Sequence, residues 1–145
     1  MIILFFGSLQ AFICWWMVKS GLTDNPYVSQ YRLSIHLSMA FLILIICFWN
    51  ALNLFIGKSK LPKGINLIAI FLVSLTIIAG TFVSGMDAGL VYNQFPFMGE
   101  GLVPIEYGDR GILDPFENPV SAQFHHRVLA SLTLLDLQMK VAPYY

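Results

Sequence analysis

The sequence predicts an all-α integral membrane protein, and three observations carry that prediction. Of the 145 residues, 57% are hydrophobic and only 11% charged, less than half of the ~25% charge usual in soluble domains. The mean hydropathy is +0.73. The few charges gather between long uncharged stretches, the arrangement a bilayer imposes when it is the solvent. The apolar runs are continuous and do not alternate, which argues against a β-barrel. Backbone groups in lipid must find partners within their own segment, so each run is expected to be a helix.

Requiring roughly 20 apolar residues to cross about 30 Å of hydrocarbon gives four spans, at about 1–18, 33–56, 65–86 and 119–141. The first, "MIILFFGSLQAFICWWMVK", lacks the basic start of a signal peptide, and Trp15 and Trp16 suit a membrane interface. It opens without a flank or cap and reads as part of a longer chain. The fourth is the weakest, because Asp136, Gln138 and Lys140 follow the short apolar run 128–135. Asn118 is a good cap for it, and Pro119 suits its first turn. At 1.5 Å per residue Asp136 lies roughly 25 Å along, close to the far interface.

The connections orient the spans. "GKSKLPKG" (57–64) carries Lys58, Lys60 and Lys63 with no acid, so the positive-inside rule places it in the cytoplasm or mitochondrial matrix. Segment 87–118 carries six acids against one base, Arg110, and is expected on the outer side together with 19–32. It is too long for a hairpin connection and is expected to pack over the bundle as a lid. Net charge is zero, and nothing suggests nucleic acid. Cys14 and Cys47 lie in separate apolar stretches without a CxxC spacing. They read as small buried hydrophobes and say nothing of redox compartment.

His36 and His126 carry the chemistry. The topology puts each one or two turns inside the same outer face, and an ionisable residue within a span is a functional suspect. Residues four apart share a helix face: Ala40 follows His36, and Ala122 and Ala130 flank His126. Small neighbours leave room for a flat ligand, or simply let helices approach. Arg32 lies on the face of His36 and Arg127 follows His126. Such cations suit haem propionates at the outer surface, or snorkel towards water. Zinc has too few ligands at helical spacing. His125 points about 100° from His126 and reads as an interfacial residue. In "GTFVSGMDAGLVYNQFPFMGEG" (80–101), Gly80, Gly85 and Gly89 permit close approach or a helix break. Asp87 and Asn93 mark the outer rim there. Phe95, Pro96 and Phe97 form either an ordinary helix exit or a cap over a hydrophobic cofactor.

The blocks "WWMVKSGL", "VSQYRLSIHLSMAF", "GTFVSGMDAGLVYNQFPFMG" and "FENPVSAQFHHRVLA" together resemble the haem A synthase family, in its mitochondrial and proteobacterial version. The resemblance runs from about 15 to 130 in family order; only the last dozen residues look unlike it. It implies an eight-helix membrane enzyme of two related four-helix halves, which oxidises a methyl group of haem O to a formyl. The product, haem A, serves cytochrome c oxidase. Each half of the family fold holds a porphyrin between a histidine on its second helix and one on its fourth. On that scheme, 1–64 are the last two helices of the substrate half with an inner loop. Residues 65–145 are the first two helices of the half that holds haem b, with the outer loop 87–118. His36 then corresponds to the fourth-helix iron ligand of the substrate half, and His126, in Q-F-H-H-R, to the second-helix iron ligand of the haem b half. Arg32 and Arg127 are the accompanying cofactor-binding residues.

The family's proposed catalytic glutamate stands three residues before the second-helix histidine of its first half. Here that position before His126 is Gln123, so no catalytic residue is assigned and the piece alone is expected to be inactive. Asp87 matches a family motif and is expected to shape the outer loop. The resemblance implies the mitochondrial inner membrane or a bacterial plasma membrane. Lipid, haem O and haem b are its expected partners, with haem O synthase and an electron-transfer partner beside them; a homo-oligomer is compatible. The alternatives are a di-haem cytochrome b that carries electrons, and a haem-free structural or transport bundle. A glutamate in the parent's second helix discriminates against the first, and Soret absorption against the second.

Overall fold

The computed structural model describes residues 1–21, 28–57 and 65–142. Its elements are helical: α1 (Ile2–Val18), α2 (Gln30–Phe55), α3 (Ile65–Gly85), the short α4 (Asp114–Glu117) and α5 (Pro119–Val141), with 3-10 turns at Ala88–Leu90 and Gly111–Leu113. A single bridge, Met98 to Gly101, is the one β-type pairing among the described residues. The four expected spans thus coincide with α1, α2, α3 and α5. Two helices, α2 and the Leu67–Gly85 part of α3, have both the length and the apolarity to cross a membrane. α1 is apolar but has 17 residues, about 25 Å at 1.5 Å per residue. α5 has 23 residues, but Arg127, Asp136 and Lys140 dilute it. Asp136 and Lys140, one turn apart, form an ion pair along the helix. The lysine-bearing loop and the last three residues lie outside the described residues.

The chain forms two compact units, Met1–Pro62 and Lys63–Tyr145. In the first, α1 packs on α2. The final carbonyls of α1 would be orphaned at a helix end, and each finds a donor. Lys19 N–H donates to Trp15 O at 3.0 Å and Gly21 N–H to Val18 O at 3.1 Å. Ser20 serves Met17 O through its N–H and its hydroxyl. Trp16 O accepts from Arg32 of α2 at 2.9 Å, while that guanidinium lies 4.5 Å above the Trp16 ring. Arg32 therefore ends α1 and ties it to α2.

In the second unit α3 packs on α5. The seam carries Thr76 and Thr133, whose hydroxyls meet at 2.8 Å while each also faces the carbonyl one turn back on its own helix. Two protons serve these three contacts, so one hydroxyl bonds its helix and the other bonds across. Phe82 of α3 packs edge-on against Phe116 of α4 at 5.1 Å. At the end of α3, Asp87 takes the left-handed conformation (φ 52°), which Asp tolerates better than most residues. It turns the chain into the Ala88–Leu90 turn, which touches both α3 and α5.

The acidic segment folds back on this pair through a buried carboxylate. Asp114 is 2% exposed and accepts from the Gly108 and Arg110 N–H groups at 2.9 and 3.1 Å, from Asn118 Nδ2 at 3.0 Å and from the Ser121 hydroxyl. Asn118, the expected cap of α5, accepts from Val120 N–H at 3.0 Å and donates to Glu106 O at 2.8 Å. Burial by itself would raise the Asp114 pKa; the four hydrogen bonds outweigh it and hold the carboxyl at about 2. A folded pKa below the unfolded value stabilises the fold above about pH 4, and that contribution is lost as pH falls through about 2. Thermal melting in detergent should therefore show a loss of about 2 kcal/mol over this window. Asp114→Asn should flatten that acid dependence and lower stability at pH 7; an unchanged acid limb would contradict the role.

Candidate functional site

His126 sits on α5 one turn beyond the buried start of that helix and faces α3. Its Nδ1 lies 3.1 Å from the Thr76 carbonyl. A carbonyl can only accept, so Nδ1 carries a proton, and the lone pair of a neutral ring is then on Nε2. Gly80, one turn along α3 from Thr76, makes the approach possible. A Cβ there would stand 3.0 Å from His126 Cε1 and 3.4 Å from Nδ1, the first closer than ordinary carbon–carbon contact. The expected close-approach role of this glycine is therefore visible. Ala122, one turn before His126, is 2% exposed, so protein already fills the space beside it; Ala130 is half-buried.

His125 is occupied on both nitrogens. Nδ1–H donates to Ser121 O at 2.7 Å, and Nε2 accepts from the Tyr107 hydroxyl at 3.3 Å. Its ring also lies 5.4 Å from Tyr107 and 5.8 Å from Phe124, centroid to centroid. The acidic segment thus holds His125 at the helix surface, away from ligation.

Arg127 grips the exit from α3. Its guanidinium donates to the carbonyls of Tyr92 and Gln94, both at 2.6 Å, and more weakly to Phe97 O at 3.4 Å. Gln123, one turn earlier on the same face, donates to the same Tyr92 carbonyl at 2.8 Å. Gln123 is 5% exposed, and among the described residues its Oε1 finds no donor. These two side chains pin the segment carrying Phe95, Pro96 and Met98 over α5. Beneath it lies an apolar cleft of about 250 Å³, lined also by Leu102, Phe124 and Arg127. It is smaller than the roughly 300–1,000 Å³ of typical small-molecule pockets, and His126 does not line it. A porphyrin on His126 would need other space.

His36, in the first unit, has a different partner. Gln10 of α1 places its Nε2 3.1 Å from His36 Nδ1 and 3.1 Å from the His36 carbonyl. Arg32, one turn before it, is held by Trp16 as described. Sequence reasoning singled out His36, Arg32, His126 and Arg127; it missed Gln10, Thr76 and Asp114. Gln10 had a readable signal, being the one amide side chain in the first apolar span, 1–18. Thr76 acts through its backbone, which no side-chain pattern reveals. Among the described residues no three His, Cys, Asp or Glu side chains come together.

The chain matches the family described as cytochrome oxidase assembly protein over residues 1–142. It is 44% identical over 137 residues to a protein named haem A synthase from Pelagibacter ubique, covering 91% of this chain and 41% of that one. It is 43% identical over 140 residues to the haem A synthase of a Wolbachia from Culex pipiens, covering 91% and 42%. The human haem A synthase COX15 is 43% identical over 136 residues, covering 83% and 33%. The chain spans between a third and about two fifths of the length of these relatives. No solved structure matches it.

Two variants test the geometry. Gly80→Val should cost about 1–3 kcal/mol, the usual range for overpacking, read from detergent-denaturation midpoints; a neutral result would mean that the imidazole does not lie on this glycine. Arg127→Ala removes donors from three carbonyls and should make segment 92–105 several-fold more sensitive to limited proteolysis at unchanged helix content.

Proposed function

This chain belongs to the cytochrome oxidase assembly protein family, and we propose that it is the middle part of a haem A synthase. The reaction is oxidation of a methyl group of the substrate haem O to the formyl group of haem A. In this reading residues 1–64 close the half that takes haem O and residues 65–145 open the half that holds haem b. His36 and His126 are the respective iron ligands. The enzyme lies in the mitochondrial inner membrane or a bacterial plasma membrane, with all four long helices crossing it and segment 87–118 on the outer side.

The observation that carries this reading is the state of His126. Iron needs a neutral imidazole with a free lone pair, and ligating histidines commonly give their other N–H to a carbonyl that fixes the tautomer. His126 gives Nδ1–H to Thr76 in this way, which supports ligation through Nε2. The bound haem supplies iron redox chemistry; the protein's part is position and electrostatics. Thr76 aligns the ring and raises its basicity, and Gly80 lets the ring sit close to α3. Arg127 holds the rim with some of its donors. A guanidinium has five N–H groups, so Arg127 and Arg32 can meet propionate charge as well as backbone carbonyls. Gln123 cannot move a proton, so no acid–base role falls to it.

Membrane insertion is supported by the exposed faces. Phe48 of α2 and Phe71 of α3 are 63% and 62% exposed, a costly surface in water and an ordinary one against lipid.

In the full-length protein, His126→Ala should lower haem b content to a small fraction, measured by pyridine haemochrome after purification. His36→Ala should abolish turnover of haem O and leave haem b in place. Unchanged haem content in the first variant would refute the ligand assignment; equal loss of both haems in the second would indicate misfolding.

A further inference from the structure

Gln10 and His36 meet in a way that ligation of iron would have to undo. The Gln10 atom 3.1 Å from the His36 carbonyl must be the NH2 group, because that oxygen can only accept. The same NH2 stands 3.1 Å from His36 Nδ1. Nδ1 therefore offers its lone pair to Gln10, and the proton of the neutral ring sits on Nε2. A ring protonated at Nε2 cannot bind iron through that atom. Moving the proton to Nδ1 would point an N–H at an NH2, donor against donor.

A second atom shows where the amide can go. Gln10 Oε1 is buried and finds no donor among the described residues, and buried polar atoms are rarely left so. We propose that Gln10 is a positioning residue that holds His36 in its non-ligating tautomer, and that its amide turns to accept the Nδ1 proton when His36 binds iron. In the turned state Oε1 gains the Nδ1–H and Nε2 of the ring is freed. What is given up is a bond to a backbone carbonyl that lies within α2 and has its own helical partner, and the turning amide must also swing off that carbonyl, because two acceptors repel at 3.1 Å.

His126 has no such freedom, because its Nδ1 faces a carbonyl that cannot exchange donor for acceptor. One histidine is set for a group that stays. The other pays a conformational toll each time it ligates, which weakens apparent affinity in proportion to the population it must shift. That toll suits a porphyrin that must arrive and leave, namely substrate and product. This inference rests on the reading of His36 as the ligand of haem O given above.

Full-length protein carrying Gln10→Glu and Gln10→Met tests it. In haem-free protein labelled with ¹⁵N-histidine at about pH 8.5, the His36 signal is the one missing from His36→Ala. Wild type should show the Nε2–H tautomer and Gln10→Glu a proton on Nδ1. A wild-type Nδ1–H, or Nε2–H persisting in Gln10→Glu, would overturn the lock. With haem O bound, an acceptor at Nδ1 strengthens the imidazole as a donor to iron and lowers the midpoint potential. The potentials should then rise in the order Glu, wild type, Met, and Gln10→Glu should bind haem O about tenfold tighter. Equal potentials in wild type and Gln10→Met would mean that the amide does not turn. Should His36→Ala bind haem O as wild type does, the ligand reading fails, whereas the haem-free tautomer still reports on Gln10 alone.

Discussion

Where α3 meets α5, an imidazole lies against bare glycine backbone and gives a proton to a threonine carbonyl. That bond between His126 and Thr76 decides several things together. It leaves little room for a Cβ at position 80. It brings the helices near enough for the Thr76 hydroxyl to meet that of Thr133, about two turns along α5 from His126. It also determines which ring nitrogen is left for other use. A polar contact between these apolar helices sets their approach, while the exposed leucines and phenylalanines around it add little preference of their own.

The segment between α3 and α5 obeys the same accounting of donors and acceptors with different means. It is rich in backbone groups that no helix satisfies, and side chains projecting from the first turns of α5 serve them. Ser121 reaches Asp114, Gln123 and Arg127 share the Tyr92 carbonyl, and His125 engages Tyr107. The Q-F-H-H-R run thus does more than present one ligand. Only His126 points at α3; the residues on either side hold the outer segment in place. A cation beside a histidine, which alone suggests propionate binding or snorkelling, here has backbone carbonyls as its immediate partners.

The two proposed ligands differ through their second nitrogens. A carbonyl partner is a permanent acceptor, whereas an amide partner offers both a donor and an acceptor on one rotatable bond. Two proposed ligands of the same residue type can in this way differ in how firmly each would hold iron.

The helical class and the approximate ends of the four long helices were legible in the order of residues, because long apolar runs fix them, whereas the short α4 was not. α5 begins at Pro119 behind an Asn118 cap as read, since capping is local chemistry. His36 and His126 stood out because charge within apolar runs is rare. Partners were not legible. Gln10 reaches a residue 26 positions away and Thr76 one 50 positions away, and Asp114 looked like one more acid in an acidic loop. A hydrogen bond's sense depends on which atom faces which across a helix interface. Sequence records the atoms available, and only the packed chain settles which of them meet.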